Sequence, residues 1–185
     1  MKQNILPAIR LTLVCIVIFI IAYPALIWLI AQAAPAHGEG QTVVVNGKKI
    51  GYLLEGQSFT NDHYFNGRPS AAGYNAAASS GSNKGPSNPE YLQQVQDRID
   101  SFLVHNPTVK KELIPSDLVT ASGSGLDPDI SLQGAMVQVD RIAKTRNINK
   151  EKLISLIEMN IEKSSLNNIQ KINVLKVNIA LDQLK

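Results

Sequence analysis

Cysteine is nearly absent from this chain: its 185 residues include one, Cys15, with one tryptophan and three histidines. A single thiol excludes the disulfide framework that staples small secreted domains. The histidines, His37, His63 and His105, stand far apart, so the close His/Cys spacing of a zinc site is missing. Charge is also scarce, at 18% of residues against roughly 25% in ordinary soluble domains. The scarcity is local, because no Asp, Glu, Lys or Arg lies between Arg10 and Glu39. Glycine stops at Gly134 and proline at Pro128. The remaining C-terminal stretch therefore reads as regular elements rather than turns.

What fills the charge gap is apolar. Leu11 to Ala31 reads LTLVCIVIFIIAYPALIWLIA, and as a helix it spans about 31 Å, the hydrocarbon thickness of a bilayer. Lys2, Arg10 and an Ala31-Gln32-Ala33 site suit a cleaved signal peptide. Signal cores, however, run only about 7–15 residues, so the segment reads as a retained anchor. The basic residues precede it and the following flank is charge-poor. The positive-inside rule puts residues 1–10 in the cytoplasm and residues 32–185 outside. Of 18 basic residues, Lys2 and Arg10 belong to this flank, leaving 16 against 15 acidic ones. The exported part is close to neutral, and no basic stripe with interleaved aromatics argues for nucleic acid.

Residues 32–41 read as a tether and 42–185 as one domain. Asn46-Gly47 between Thr42–Val45 and Lys48–Leu54 is a hairpin signal, since a type I′ turn needs positive φ at both central residues. Thr60 to Asn88 has little hydrophobic period, and a loop of that length is usually functional or disordered. Asn88, Pro89 and Glu90 then open a helix with Leu92, Val95, Ile99, Phe102 and Leu103 on one stripe. A second helix is predicted from Ser131, burying Ala135, Val139, Ile142 and Ala143. A third is predicted from Asn149, burying Leu153, Ile157 and Ile161 with Ile154 beside them. Leu175, Val177, Ile179 and Leu181 alternate with other residues, which predicts a closing strand. Helices and strands mix without a βαβ repeat, so the class is α+β: one transmembrane helix followed by a mixed α/β extracytoplasmic domain.

Motifs for chemistry are weak. Ser122 and Ser124 miss the G-x-S-x-G pattern, although either can be grouped on paper with His63 or His105 and with Asp117 or Asp127 as an exported hydrolase. Asp127-Pro128-Asp129 lacks a calcium-loop pattern and reads as a turn, with Ser131 capping the next helix. Gly81-Ser82-Asn83-Lys84-Gly85 has anion-binding residue types but not the order of a phosphate loop. No catalytic residue and no metal site are expected.

Longer strings carry a resemblance. Tyr64-Phe65-x-Gly67-Arg68-Pro69-Ser70, Ser82-Asn83, Ser87-Asn88-Pro89 and Leu118–Asp127 resemble the C subunit of the bacterial Kdp-type potassium-transporting P-type ATPase. Gln138, Arg141-x-Ala143 and Val174–Asp182 agree, so the likeness runs over essentially the whole chain. It implies a single-pass, non-catalytic accessory subunit in the cytoplasmic membrane, needed for assembly. The implied partners are a channel-like potassium-binding subunit and a P-type pump subunit that hydrolyses ATP. It also implies a catalytic-chaperone role, raising the ATP affinity of the pump through a motif that Ser79, Ser80, Gly81 and Ser82 resemble. Ser80 stands where the family usually has glycine. No cofactor is expected to be held firmly, and ATP would be met only through the pump subunit. The alternative is a domain that covers or gates the external potassium entrance without a nucleotide role. Partner-contact candidates are Tyr64, Phe65, Arg68, Ser122 and Asp127. A structural role for Arg68, bonding loop carbonyls, and a core role for Tyr64 and Phe65 stand beside that reading.

Overall fold

The computed structural model describes residues 2–163 and 169–184. The chain forms two compact units, Met1–Gln41 and Thr42–Lys185.

The first unit is a helix in three parts: α1 (Lys2–Ile16), a widened π turn (Val17–Ala22) and α2 (Tyr23–Gln32). Asn4–Gln32 is long and apolar enough to cross a membrane, and its most apolar 18 residues have mean hydropathy 2.9. The wide turn sits just before Pro24, whose ring collides with a regular preceding turn and which offers no N–H. Tyr23 N–H instead bonds the Ile18 carbonyl, five residues back, and the helix absorbs the proline by widening. Beyond Gln32 the chain turns back at Pro35–Gly38. There His37 Nδ1 donates to the Gln32 carbonyl at 3.1 Å.

The second unit opens with the hairpin β1 (Thr42–Val45) and β2 (Lys48–Tyr52). Asn46 and Gly47 take φ of 51° and 77°, as a type I′ turn requires. After a long irregular stretch comes α3 (Pro89–His105), capped by Asn88, whose side chain accepts from Tyr91 N–H. Then follow β3 (Asp129–Ser131), α4 (Leu132–Met136), α5 (Val139–Arg146), α6 (Lys150–Met159), β4 (Ile161–Lys163), β5 (Gln170–Asn173) and α7 (Val174–Gln183). The sheet runs β3-β5-β4 with both pairs antiparallel. Ile130 and Ile172 of this sheet are buried with Ile142, Leu153, Ile157, Val177 and Leu181 of the helices. The class is the expected one, a mixed α and β domain behind one apolar helix.

Three expectations fail here. Val174–Gln183 is a helix, not a strand. Its buried residues Val174, Leu175, Val177, Asn178 and Leu181 follow i, i+1, i+3, i+4, i+7, a helical face hidden because polar Asn178 belongs to it. The helix from Ser131 exists, with Ser131 capping through Gly134 N–H, but it breaks at Val137–Gln138. The Gln138 side chain takes the Gly134 carbonyl at 2.9 Å, and Gln138 N–H turns to Ala135 instead. Ile161, assigned to the third helix, begins β4.

Candidate functional site

Three segments far apart in sequence close on one another: Tyr64–Ser70, Ser79–Gly81 and Ser122–Asp127. Arg68 Nη1 donates to Asp127 Oδ2 at 2.8 Å. Ser70 Oγ donates to the Gly125 carbonyl at 2.7 Å, and Ser122 N–H to the Pro69 carbonyl at 3.1 Å. Tyr74 folds over the same strip, its hydroxyl donating to the Arg68 carbonyl, and burial raises the pKa of that phenol. Gly125 has φ of +70°, and a Cβ there would stand 2.8 Å from the Ser80 carbonyl oxygen. Only glycine meets both demands without strain.

The segment 79–82 is engaged by this same patch. Ser79 Oγ donates to the Ser124 carbonyl at 2.8 Å. A Cβ on Gly81 would lie 2.9 Å from the Gly123 carbonyl oxygen. Lys84, the nearby cation, pairs with Glu90 at 2.8 Å. Ser79 and Gly81 thus face backbone carbonyls of the 122–127 loop, and Lys84 faces a carboxylate.

Beneath Tyr64–Ser70 lies a clamp of buried polar side chains. Arg141 of α5 donates from Nε to Asn106 Oδ1, from Nη1 to the Asp62 carbonyl, and from Nη2 to the Tyr64 carbonyl, Asn66 Oδ1 and Gln138 Oε1. Burial pulls the guanidinium pKa down, and the Asp62 carboxylate pulls it back up. Gln138 Oε1 accepts from Asn66 N–H at 2.8 Å. Asn178 of α7 satisfies both backbone groups of Phe65, at 2.8 and 3.0 Å. Buried polar groups need such complete pairing, and here the pairing fixes a loop that has no regular ladder.

The outer edge is Tyr64. Its hydroxyl donates to Asp182 Oδ2 at 3.1 Å, and the Arg146 guanidinium stands 4.8 Å above its ring. Arg146 also pairs with Asp182 at 2.7 Å. Stacking and pairing together orient the arginine.

Among the contact candidates, Tyr64, Arg68 and Asp127 retain exposed surface. Phe65 is fully buried and Ser122 is 2% exposed, so neither presents a side chain to a partner; Phe65 is a core residue. Arg68 pairs with a carboxylate, whereas Arg98, Arg141 and Arg146 donate to loop carbonyls. Among the described residues no hydrogen bond joins Ser122 or Ser124 to His63 or His105, and Ser124 Oγ accepts from Leu126 N–H. Ser122 Oγ is buried without a hydrogen-bond partner, His105 Nδ1 bonds Asp62 at 2.9 Å, and Asp117 caps Ser131. Asp129, the second carboxylate of the weighed calcium pair, faces Lys171. Nothing in the sequence marks Asn66 as part of the clamp, Asn106 reads there as a helix stop, and Asn178 stands only within the family-like Val174–Asp182 string. The signal the sequence offers is the i, i+3 spacing of Gln138, at the break before α5, and Arg141 within it.

Comparison with known families adds a finding. The chain matches the family described as "K+-transporting ATPase, c chain" over residues 5–183. It is 51% identical over 183 residues to a Flavobacterium psychrophilum protein, covering 99% of this chain and 100% of that one. A Flavobacterium johnsoniae protein shows the same identity and coverage. A Bacteroides fragilis protein is 48% identical over 188 residues, covering 99% and 98%. Each of the three relatives is described as a potassium-transporting ATPase KdpC subunit.

Proposed function

The chain belongs to the KdpC family, the c chain of K+-transporting ATPase, and on that premise we propose that it is a non-catalytic accessory subunit that holds the complex together. Residues 1–10 lie in the cytoplasm, 11–31 cross the bacterial cytoplasmic membrane, 32–41 form the tether and 42–185 work outside. The partners are a channel-like potassium-binding subunit and a P-type pump subunit, and the pump subunit hydrolyses ATP. An external domain of this kind is placed to cover the potassium entrance.

The observation that carries this reading is the closure of the patch. Arg68–Asp127 and the bonds of Ser70, Ser79 and Ser122 join its three segments, while Arg141 and Asn178 fix the strip from below. Such a surface is pre-organised, and rigid surfaces bind with less ordering cost. With Ser79 already bonded to Ser124, the patch favours docking over a nucleotide cradle. The chaperone effect on ATP affinity is then exerted through subunit contacts.

The test is purification of the complex with this chain deleted, and with Ser79→Ala and Ser82→Ala together. Deletion is expected to break up the complex, and the double variant to leave the ATP KM unchanged. A stable, active complex without the chain overturns the assembly role. A raised ATP KM in an intact double-variant complex overturns the docking reading in favour of nucleotide contact.

A further inference from the structure

The hairpin β1–β2 leaves aliphatic side chains in solvent. Val44, Ile50 and Leu54 are 58%, 41% and 68% exposed. Its strands pair with each other and with no further strand among the described residues, and a lone two-stranded hairpin is marginal in water. Its orientation on the domain is fixed from one side. Gly51 presses on Gln57, whose Nε2 would stand 2.0 Å from a Cβ placed there, and Val43 and Val45 are half-buried. Val44 pairs directly with Lys49, and Thr42 with Tyr52, so these four share the opposite face. There Lys49 Nζ lies 3.8 Å over the Tyr52 ring. Neither Lys48 nor Lys49 forms an ion pair with a carboxylate among the described residues.

Covalent reach limits where this face can be. The turn at Pro35–Gly38 brings Gly38 back to the end of α2, where a Cβ on it would stand 3.0 Å from Ala31 Cβ. Only Glu39, Gly40 and Gln41 separate Gly38 from Thr42. Four extended Cα steps reach about 14 Å at most, while the polar layer of a bilayer is about 5–8 Å deep on each side. Thr42, at the base of the hairpin, therefore stands within about 14 Å of Gly38, a reach that lets the hairpin meet that layer. Aliphatic side chains, lysines with long apolar stems and a tyrosine are the composition of an interfacial element.

We propose that the hairpin docks into the phospholipid headgroup layer of the outer membrane face, where Val44, Ile50 and Leu54 enter the apolar boundary and Lys49 meets lipid phosphates. The proposal rests on residues 11–31 being a membrane span. It gives the domain a second attachment to the bilayer, which restricts its swing about the tether.

The test uses the full-length chain in nanodiscs of phosphatidylethanolamine and phosphatidylglycerol, with one spin label per protein. Labels are placed at native Cys15 and, in a Cys15→Ser background, at Val44→Cys and Met159→Cys. Collision rates with oxygen and with a water-soluble nickel chelate are compared. The expected result is oxygen collisions exceeding chelate collisions at 15 and 44, with the reverse at 159, which lies 76% exposed on α6. Lipid contact at 15 with water contact at 44 overturns the proposal. Water contact at 15 overturns the span, and the proposal with it. Lys49→Glu is expected to move the label at 44 toward the chelate; an unchanged ratio overturns the phosphate contact.

Discussion

Arg141 keeps a formal positive charge with 3% of its side chain exposed, and its donors close on two backbone carbonyls and three side-chain oxygens. Removing one member of a buried charged network costs about 3–5 kcal/mol, because the remaining groups stay buried and unpaired. Arg141→Met is expected to lower the stability of the full chain by about that amount. Arg68→Met, at a pair whose side chains are 25% and 30% exposed, is expected to cost about 1 kcal/mol or less. Thermal melts of both variants in nanodiscs check the ordering, and equal losses would contradict the clamp. The difference between the two arginines was not legible in the sequence. Both stand in family-like strings, and no local spacing says which one the fold encloses. Phe65 was the reverse case, since an aromatic in a loop string has core packing as its ordinary alternative, and it is fully buried.

Elements were legible where local chemistry decides them. Asn46-Gly47 sets a turn by its backbone alone, and Asn88-Pro89-Glu90 starts a helix by capping, fixed φ and dipole. The strands β3, β4 and β5 are three or four residues each and carry too few positions to show a period. α7 was misread because a partner in the chain's other half, Phe65, makes a polar Asn178 buried. The small sheet carries its own prediction. Lys171 on β5 bonds Asp129 on β3, and this bond, helped by the Asp129, Glu162 and Asp127 charges and opposed by burial, raises the lysine pKa. A raised folded pKa means the stabilisation is complete below the ordinary lysine range of about pH 10 and fades as pH rises through the folded value. Tyr74 adds to the same alkaline loss, because burial raises its pKa as well. The melting temperature of wild type is expected to fall over about pH 9–11, and by less in Lys171→Met. An equal fall in both would contradict the coupling.

For the molecule as a whole, the distribution of charge said more than its total. The net +3 arises largely from Lys2 and Arg10 ahead of the apolar run, and the rest is close to neutral. The proposed orientation rests on that asymmetry, and the account of a docking subunit outside the membrane depends on it. What the whole-chain pattern left hidden was the closed patch, because its bonds join residues as far apart as Ser70 and Gly125, which no local window compares. The most direct test is the side of the membrane on which the domain lies. Val104, 77% exposed on α3, is replaced by cysteine in a Cys15→Ser chain, and spheroplasts are treated with a membrane-impermeant maleimide. Labelling in intact spheroplasts is the expected result. Labelling only after lysis would place the domain beside cytoplasmic ATP and contradict the account.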